Sequence, residues 1–371
     1  MRLTRLDIRG LRRFGDVSLA PAPGLNLITG DNGAGKTSVL EAIHLLAYGR
    51  SFRGRVRDGL IRSGEPALEV YAEWWEDAGA RPRKVGLRHS GQAWEGRLDG
   101  ASVGQLGELC AALAAVTFEP GSHALVSGGG EPRRRYLDWG LFHVEPEFLP
   151  SWRRYARALK QRNSLLKQRG GSARHRAGDA QLDAWDHELA EAGEPMTRQR
   201  QRYLEQLQQA LQPASAALAP ALGLASLDFL PGWRREDMSL ADALLLARDR
   251  DLAAGYTSVG PHRADWRVRH AALPNGETLS RGQAKLTALS CMLAQAEHYV
   301  AQRGEWPVLL LDDLASELDQ AHQRRLLDRL ATSGAQVIVT GTQPPAPLVD
   351  LGLALARFHV EQGLVHSDPP A

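Results

Sequence analysis

An α/β nucleotide-binding domain carrying an inserted, mainly helical lobe is the fold class that this 371-residue sequence predicts. Three observations predict it. Gly30-Asp31-Asn32-Gly33-Ala34-Gly35-Lys36-Thr37 fits the phosphate-loop pattern G-x-x-x-x-G-K-[ST] and lies between an apolar strand and an apolar run at helical spacing. Trp306 to Leu311 is a continuous apolar run ending in Asp312 and Asp313, as a parallel strand buried on both faces requires. Between these two stretches the composition shifts towards helix formers and charge.

Taken in order, residues 3 to 19 read as strand, turn and strand, with Leu6, Ile8, Phe14, Val17 and Leu19 available to one face. Leu25 to Thr29 is the strand before the loop, and Ser38 to Ala47 the helix after it, closed by Gly49. Leu68 to Trp75, Lys84 to His89 and Ala93 to Leu98 read as strands of an antiparallel sheet, the last ending at the turn Asp99-Gly100. Gly128-Gly129-Gly130 reads as a flexible joint, followed by helices at Phe148 to Gln168, Gln181 to Ala192 and Pro195 to Leu211. Ala321 to Ala331 is a helix and Gln336 to Thr340 the strand beside Asp312. The expected division is residues 1–124, an inserted lobe at 125–250, and a return to the nucleotide domain at 251–371.

The loop chemistry follows from its residue types. Glycines let the backbone wrap a phosphate chain, N–H groups at a helix start supply partial positive charge, and Lys36 adds a full one. Ser38 continues the cradle. The Thr37 hydroxyl is placed to ligate Mg2+, which keeps several waters and needs an acidic partner, and Asp312 is the candidate. An ordinary surface Asp-Asp turn is the alternative reading of that pair.

Leu279-Ser280-Arg281-Gly282-Gln283 resembles the signature motif of ATP-binding-cassette (ABC) ATPases, with Arg281 in place of a glycine. A plain helix cap at Ser280 is the alternative reading. Ser316-Glu317-Leu318-Asp319 resembles the D-loop of the same superfamily. Within it the chain is similar to the RecF family of bacterial recombination-repair proteins, through the phosphate loop, Gly49-Arg50-Ser51-Phe52-Arg53, Val259 to Asp265, the signature and Asp312 to Asp319. The resemblance implies an ABC-type P-loop ATPase fold, a mixed parallel and antiparallel sheet with flanking helices. It also implies ATP and Mg2+ as cofactors and a cytoplasmic, ATP-dependent DNA-binding protein acting at gaps and junctions. With RecO and RecR such a protein helps load RecA in the SOS response. In the family Ser280, Gly282 and Gln283 would complete, across a homodimer, the site begun by Gly30 to Ser38. Asp313 stands where transport ATPases carry a general-base Glu, so slow hydrolysis is expected. Thr340-Gly341-Thr342 stands where those relatives carry a switch His, which leaves the γ-phosphate sensor unassigned.

A net charge of +2 is nearly neutral, so any surface for nucleic acid must be local. Arg50, Arg53, Arg55 and Arg57 form one cluster and Arg174 and Arg176 another. Arg133 to Arg135, and Arg153, Arg154, Arg157 and Lys160, form two more. Solvated faces are the alternative for each. Contacts to phosphate would make binding independent of sequence and sensitive to salt. Cys110 and Cys291 are too few and too far apart for a disulfide framework. No apolar run reaches the ~20 residues of a membrane span, and the N-terminus lacks the apolar core of a signal peptide. His262 sits in a turn, with a structural role and a catalytic one both open. Two other classes compete. An SMC-like bridging ATPase would need long heptad arms, whereas this insertion is short and broken by Pro and Gly. A transporter's nucleotide-binding subunit would not be expected to carry so large a lobe or Arg281.

Overall fold

The computed structural model describes residues 1–54, 59–169, 179–273, 277–350 and 355–367. They form two compact units, one of residues 1–123, 214–220 and 280–371, the other of residues 124–213 and 221–279.

The first unit opens with β1 (Arg2–Leu11) and β2 (Phe14–Leu19), joined at Arg12 in a left-handed conformation. The strand before the phosphate loop, β3 (Leu25–Thr29), leads into α1 (Lys36–Tyr48), which Gly49 caps at φ 66°, its N–H on the Leu45 carbonyl. There follow β4 (Leu68–Glu76), β5 (Arg81–His89), β6 (Trp94–Leu98), β7 (Ala101–Ser102), α2 (Leu106–Ala112) and β8 (Ala115–Phe118). Strands β2-β1-β4-β5-β6-β7 make an antiparallel sheet in that order. Alternation sets its faces: Leu68, Val70, Ala72 and Trp74 are buried, whereas Glu69 and Trp75 between and beside them are exposed.

The second unit holds α3 (Ala124–Ser127), α4 (Gly130–Val144), α5 (Phe148–Arg169), α6 (Asp179–Leu218, its last turn counting with the first unit), β9 (Ala225–Leu230), α7 (Leu240–Ala254) and β10 (Asp265–His270). Back in the first unit come α8 (Arg281–Arg303), β11 (Val308–Leu311), α9 (Leu314–Glu317), α10 (Gln320–Ala331), β12 (Val337–Gly341), α11 (Ala346–Asp350), β13 (Leu355–Glu361) and β14 (Leu364–Ser367). The second sheet runs β14-β13-β3-β12-β11-β8 and is parallel except for the β13–β14 hairpin. It is therefore the mixed α/β fold expected, with β3 inside the sheet and every residue of β8, β11 and β12 buried. Gln336, expected as the first residue of β12, instead bridges outwards: its wholly buried amide accepts from Leu3 N–H at 2.7 Å and donates to Leu3 C=O at 2.8 Å.

Three expectations need correction, and one stretch was not foreseen. Helices 181–192 and 195–211 are one helix, α6, which runs through Pro195 and Pro213. The lobe does not end near 250: its compact unit reaches Leu279, because β10 pairs residue for residue with β9. Gly130 is the first residue of α4 rather than part of a flexible joint. Strands β13 and β14 fall in a stretch whose sequence signalled no element.

The second unit encloses a cluster of buried charges. Arg162, with no exposed surface, donates Nε to Asp186 at 2.5 Å and Nη1 to Asp251 at 2.7 Å and Thr257 Oγ1 at 3.0 Å. Arg248 supplies the second cation, to Asp183 at 2.5 Å and Asp186 at 2.6 Å. Such a cluster stands only while every member is paired.

Candidate functional site

The loop after β3 turns because three glycines take backbone values other residues avoid: Gly30 at φ 148°, Gly33 at 78° and Gly35 at 126°. A Cβ on Gly30 would meet the Val360 carbonyl of β13 at 2.2 Å, so glycine is required there on space as well. Asp31, Asn32 and Gly33 are exposed, Ala34 and Ser38 buried. Lys36, nearly buried, folds back over the loop, its Nζ donating to the Gly30 carbonyl at 2.7 Å and the Asp31 carbonyl at 2.9 Å. The cradle thus presents an ammonium, a helix N-terminus and glycine backbone around one concavity, a donor set that fits a phosphate chain.

Strand β11 brings the two acids to this loop. Thr37 Oγ1 donates to Asp312 Oδ1 at 2.9 Å, joining residues 275 positions apart. Thr340, at the end of β12, donates its hydroxyl to the same oxygen at 2.7 Å and accepts from Asp313 N–H at 2.9 Å. Burial pushes the Asp312 carboxyl above the usual carboxylate range, opposed by the hydrogen bonds from Thr340 and Thr37. Asp313 takes the left-handed conformation, φ 51° and ψ 43°, as the chain leaves the strand for α9. Among the described residues there is no group of three His, Cys, Asp or Glu that could hold a metal. One carboxylate and one hydroxyl nonetheless fit Mg2+, which takes few protein ligands and keeps water.

Three further side chains escaped the sequence reading. Thr340 was seen only as a missing histidine. Glu119, just past β8, has its carboxyl pushed up by burial first and by the charges of Asp312 and Glu317 after it. Arg13, in the β1–β2 turn, brings its guanidinium to 3.8 Å from where a side chain on Gly33 would lie, above the loop. No local motif marks any of them, since each acts through strands distant in sequence.

Ser280 is the N-cap of α8, with a reciprocal box: Ser280 Oγ accepts from Gln283 N–H at 3.3 Å, and Gln283 Oε1 from Ser280 N–H at 2.8 Å. Ser280, Arg281 and Gly282 are exposed, and among the described residues no hydrogen bond joins them to the loop. On the same helix Lys285 pairs with Glu317 at 2.6 Å, tying the signature to the D-loop.

The basic clusters divide. Arg12 holds the wholly buried Glu41 of α1 through two hydrogen bonds, at 3.0 and 2.8 Å, and Arg53 lies 3.9 Å from the same carboxylate with 46% of its side chain exposed. Ser51 also donates to Glu41. Arg50 lies close enough to His44 and Cys110 for its charge to act on both. Arg55, Arg57, Arg174 and Arg176 lie outside the described residues. Arg133 and Arg134 are structural: Arg133 clasps Asp265 at 2.6 and 3.0 Å, and Arg134 donates to the Ala264 carbonyl at 2.8 Å. Arg154 is paired with Glu188, whereas Arg153, Arg157 and Lys160 are exposed along α5. His262 resolves as structural, its Nδ1 accepting from Tyr155 Oη at 2.7 Å and its Nε2 donating to the Thr257 carbonyl at 2.9 Å.

A phosphate loop, a strand-end Asp on its threonine, an exposed signature at a helix start and a β-meander beside the parallel sheet define a P-loop ATPase head of the ABC and SMC type. The pattern of the RecF/RecN/SMC N terminal domain matches residues 2–347. Proteins called DNA replication and repair protein RecF are 65% identical over 372 residues in Stenotrophomonas maltophilia strain R551-3, covering both chains fully, and 39% over 368 residues in Shewanella baltica strain OS155, covering 98% of this chain and 99% of that one. The chain belongs to the RecF family. A solved structure of the recombination mediator protein RecF with ATP is 27% identical, with a TM-score of 0.88 over 99% of this chain and 98% of that one. An SMC head bound to the C-winged helix domain of ScpA, 15% identical with a TM-score of 0.59 over 99% of this chain and 97% of that one, shares the fold.

Proposed function

We propose that this chain is an ATP-dependent DNA-binding protein of replication and recombinational repair, a weak, DNA-stimulated ATPase in which hydrolysis resets a conformational state. One observation carries the reading: the hydrogen bond from Thr37 to Asp312, which couples the phosphate loop to the acidic strand end. Gly30 to Ser38 hold the phosphates of ATP, and the Thr37 hydroxyl and Asp312 carboxylate would hold Mg2+. When bound, that ion supplies neutralising charge beside the phosphates. Lys36 leaves its loop carbonyls for the substrate. Asp313 is the group to take a proton from the attacking water, and its short side chain supports slow turnover. Ser280, Gly282 and Gln283 serve a second copy, so ATP closes a homodimer. Their exposure supports this.

The finer biology rests on the relatives. A solved relative is described as a recombination mediator of the RecFOR pathway. By that likeness the closed dimer acts in the cytoplasm on double-stranded DNA and single/double-strand junctions, without sequence preference, and with RecO and RecR promotes RecA loading and the SOS response. Arg50, Arg53, Arg55, Arg57, Arg174 and Arg176 remain the candidate DNA contacts. No membrane partner is invoked, and among the described residues no helix is long and apolar enough to cross a membrane.

The test is binding of a gapped duplex by wild type and Lys36→Met, with and without ATP. The expected outcome is that ATP strengthens binding at least tenfold for wild type and has no effect on the variant. Equal binding in all four conditions would refute ATP gating.

A further inference from the structure

In the second unit, among the described residues, β9 is paired on one side only, by β10. The register tells which backbone groups face the open side. In an antiparallel pair alternate residues turn both N–H and C=O to the partner, and those between turn both away. The Leu224 carbonyl accepts from Ala271 N–H at 2.8 Å, in step with β10. Even-numbered residues therefore face β10, and Ala225, Leu227 and Phe229 face outwards.

One side chain of α6 takes the first two. Gln208 donates Nε2 to the Ala225 carbonyl at 2.7 Å, and its Oε1 accepts from Leu227 N–H at 2.7 Å. Donating to one residue and accepting from the second one on is the pairing that a single residue of a parallel strand makes across Ser226. The Gln208 carboxamide thus stands in for one residue of a parallel neighbour. One step further along, the Leu227 carbonyl and Phe229 N–H repeat the same pair of groups, and among the described residues nothing bonds to either. Pro231 has no N–H, so the open ladder ends there.

The unclaimed groups open on a cavity of about 740 Å³ whose lining includes Gln201, Leu204, Glu205 and Glu236. Its size suits a short peptide. Leu227 and Phe229, two positions apart and so on one face of β9, are half-buried and form an apolar strip beside the free backbone. The charge is negative: among the described residues Glu205 receives only the Gln201 amide, and Glu236 is exposed and makes no ion pair. Arg235, the cation of the lining, is drawn off to Gln201 at 2.6 Å and Glu194 at 3.7 Å.

The geometry points to strand addition: this edge receives an extended segment of a partner protein, parallel to β9, with apolar residues alternating with Lys or Arg. Backbone bonds to Leu227 and Phe229 hold the segment, the apolar strip receives one side of it, and Glu205 and Glu236 receive its cations. Gln208 keeps the edge from pairing indiscriminately when empty.

The test uses the full chain and three synthetic heptapeptides, followed by fluorescence anisotropy: alternating valine and lysine, the same with alternate amides N-methylated, and alternating valine and glutamate. The valine-lysine peptide should bind and slow hydrogen exchange at the Phe229 amide. N-methylation, the glutamate exchange and Glu236→Arg should each weaken binding at least tenfold. Gln208→Ala should instead tighten it severalfold, since it frees the Leu227 N–H, and paired with Gln212→Ala, which also releases the Ala225 carbonyl held by Gln212 Nε2 at 2.6 Å, it opens a longer ladder, an effect opposite to that of damage to the fold. Absence of binding, or binding indifferent to N-methylation, would overturn the proposal. So would protection of Phe229 that grows with protein concentration and no peptide, since the occupant would then be a second copy.

Discussion

Asp312 receives two hydroxyls on one oxygen, and burial raises its pKa. A raised carboxyl contributes stability that is complete below its unfolded pKa and lost as pH rises through the folded value. At neutral pH the charge therefore costs stability, which fits the proposal that Asp312 serves an ion rather than the fold. Asp312→Asn should raise the melting temperature without nucleotide at pH 8, and the gain should shrink towards pH 4. His262 works the other way. Burial lowers its pKa to about 4, and the neutral ring has both nitrogens hydrogen-bonded. Its contribution is full above about 6.5 and is lost as pH falls towards the folded value, up to about 3 kcal/mol. In denaturant titrations between pH 7 and 4, His262→Gln should flatten the acid loss by most of that amount. Lys36, Thr37 and Asp312 were legible because their spacing and flanking strands are local. Thr340 was not, because a threonine at a strand end looks the same whether or not a neighbouring strand brings an aspartate to it.

At the scale of elements, the ends were better marked than the middles. Gly49 and Ser280 cap helices as their residue types predict. Pro195 and Pro213 misled, since proline signals a break. Helix α6 carries both in its interior, with buried Leu189, Met196, Tyr203, Leu207 and Leu211 along its length, so tertiary burial overrides the local penalty. The start of α8 satisfies both readings of its motif: the capping box fixes the helix N-terminus and leaves its outer surface exposed. Ser280→Arg removes the cap, at about 1 kcal/mol, and sets a long cation at the proposed dimer seam. Sedimentation should show wild type shifting from monomer to dimer with ATP and the variant remaining a monomer. A variant that dimerises normally would place the seam elsewhere.

For the whole molecule, the near-zero net charge says that DNA affinity must come from a local surface. Arg133 and Arg134 are spent on the fold, whereas Arg50, Arg53, Arg153, Arg157 and Lys160 of the clusters are exposed. Affinity for duplex DNA measured across a salt series should fall on a log–log line, with a slope of about −0.9 for each phosphate contacted. A flat line would exclude phosphate contact as the source of binding. The position of β3 has a further consequence. Its hydrogen-bonding neighbours are β12 and β13, whose residues lie some 300 positions later. During synthesis the phosphate loop therefore leaves the ribosome long before either strand that flanks it exists. Until Val337 to Glu361 emerge, β3 has two bare edges, so the phosphate loop has no sheet to hold its geometry and the chain exposes unpaired strand edges of the kind that favour aggregation.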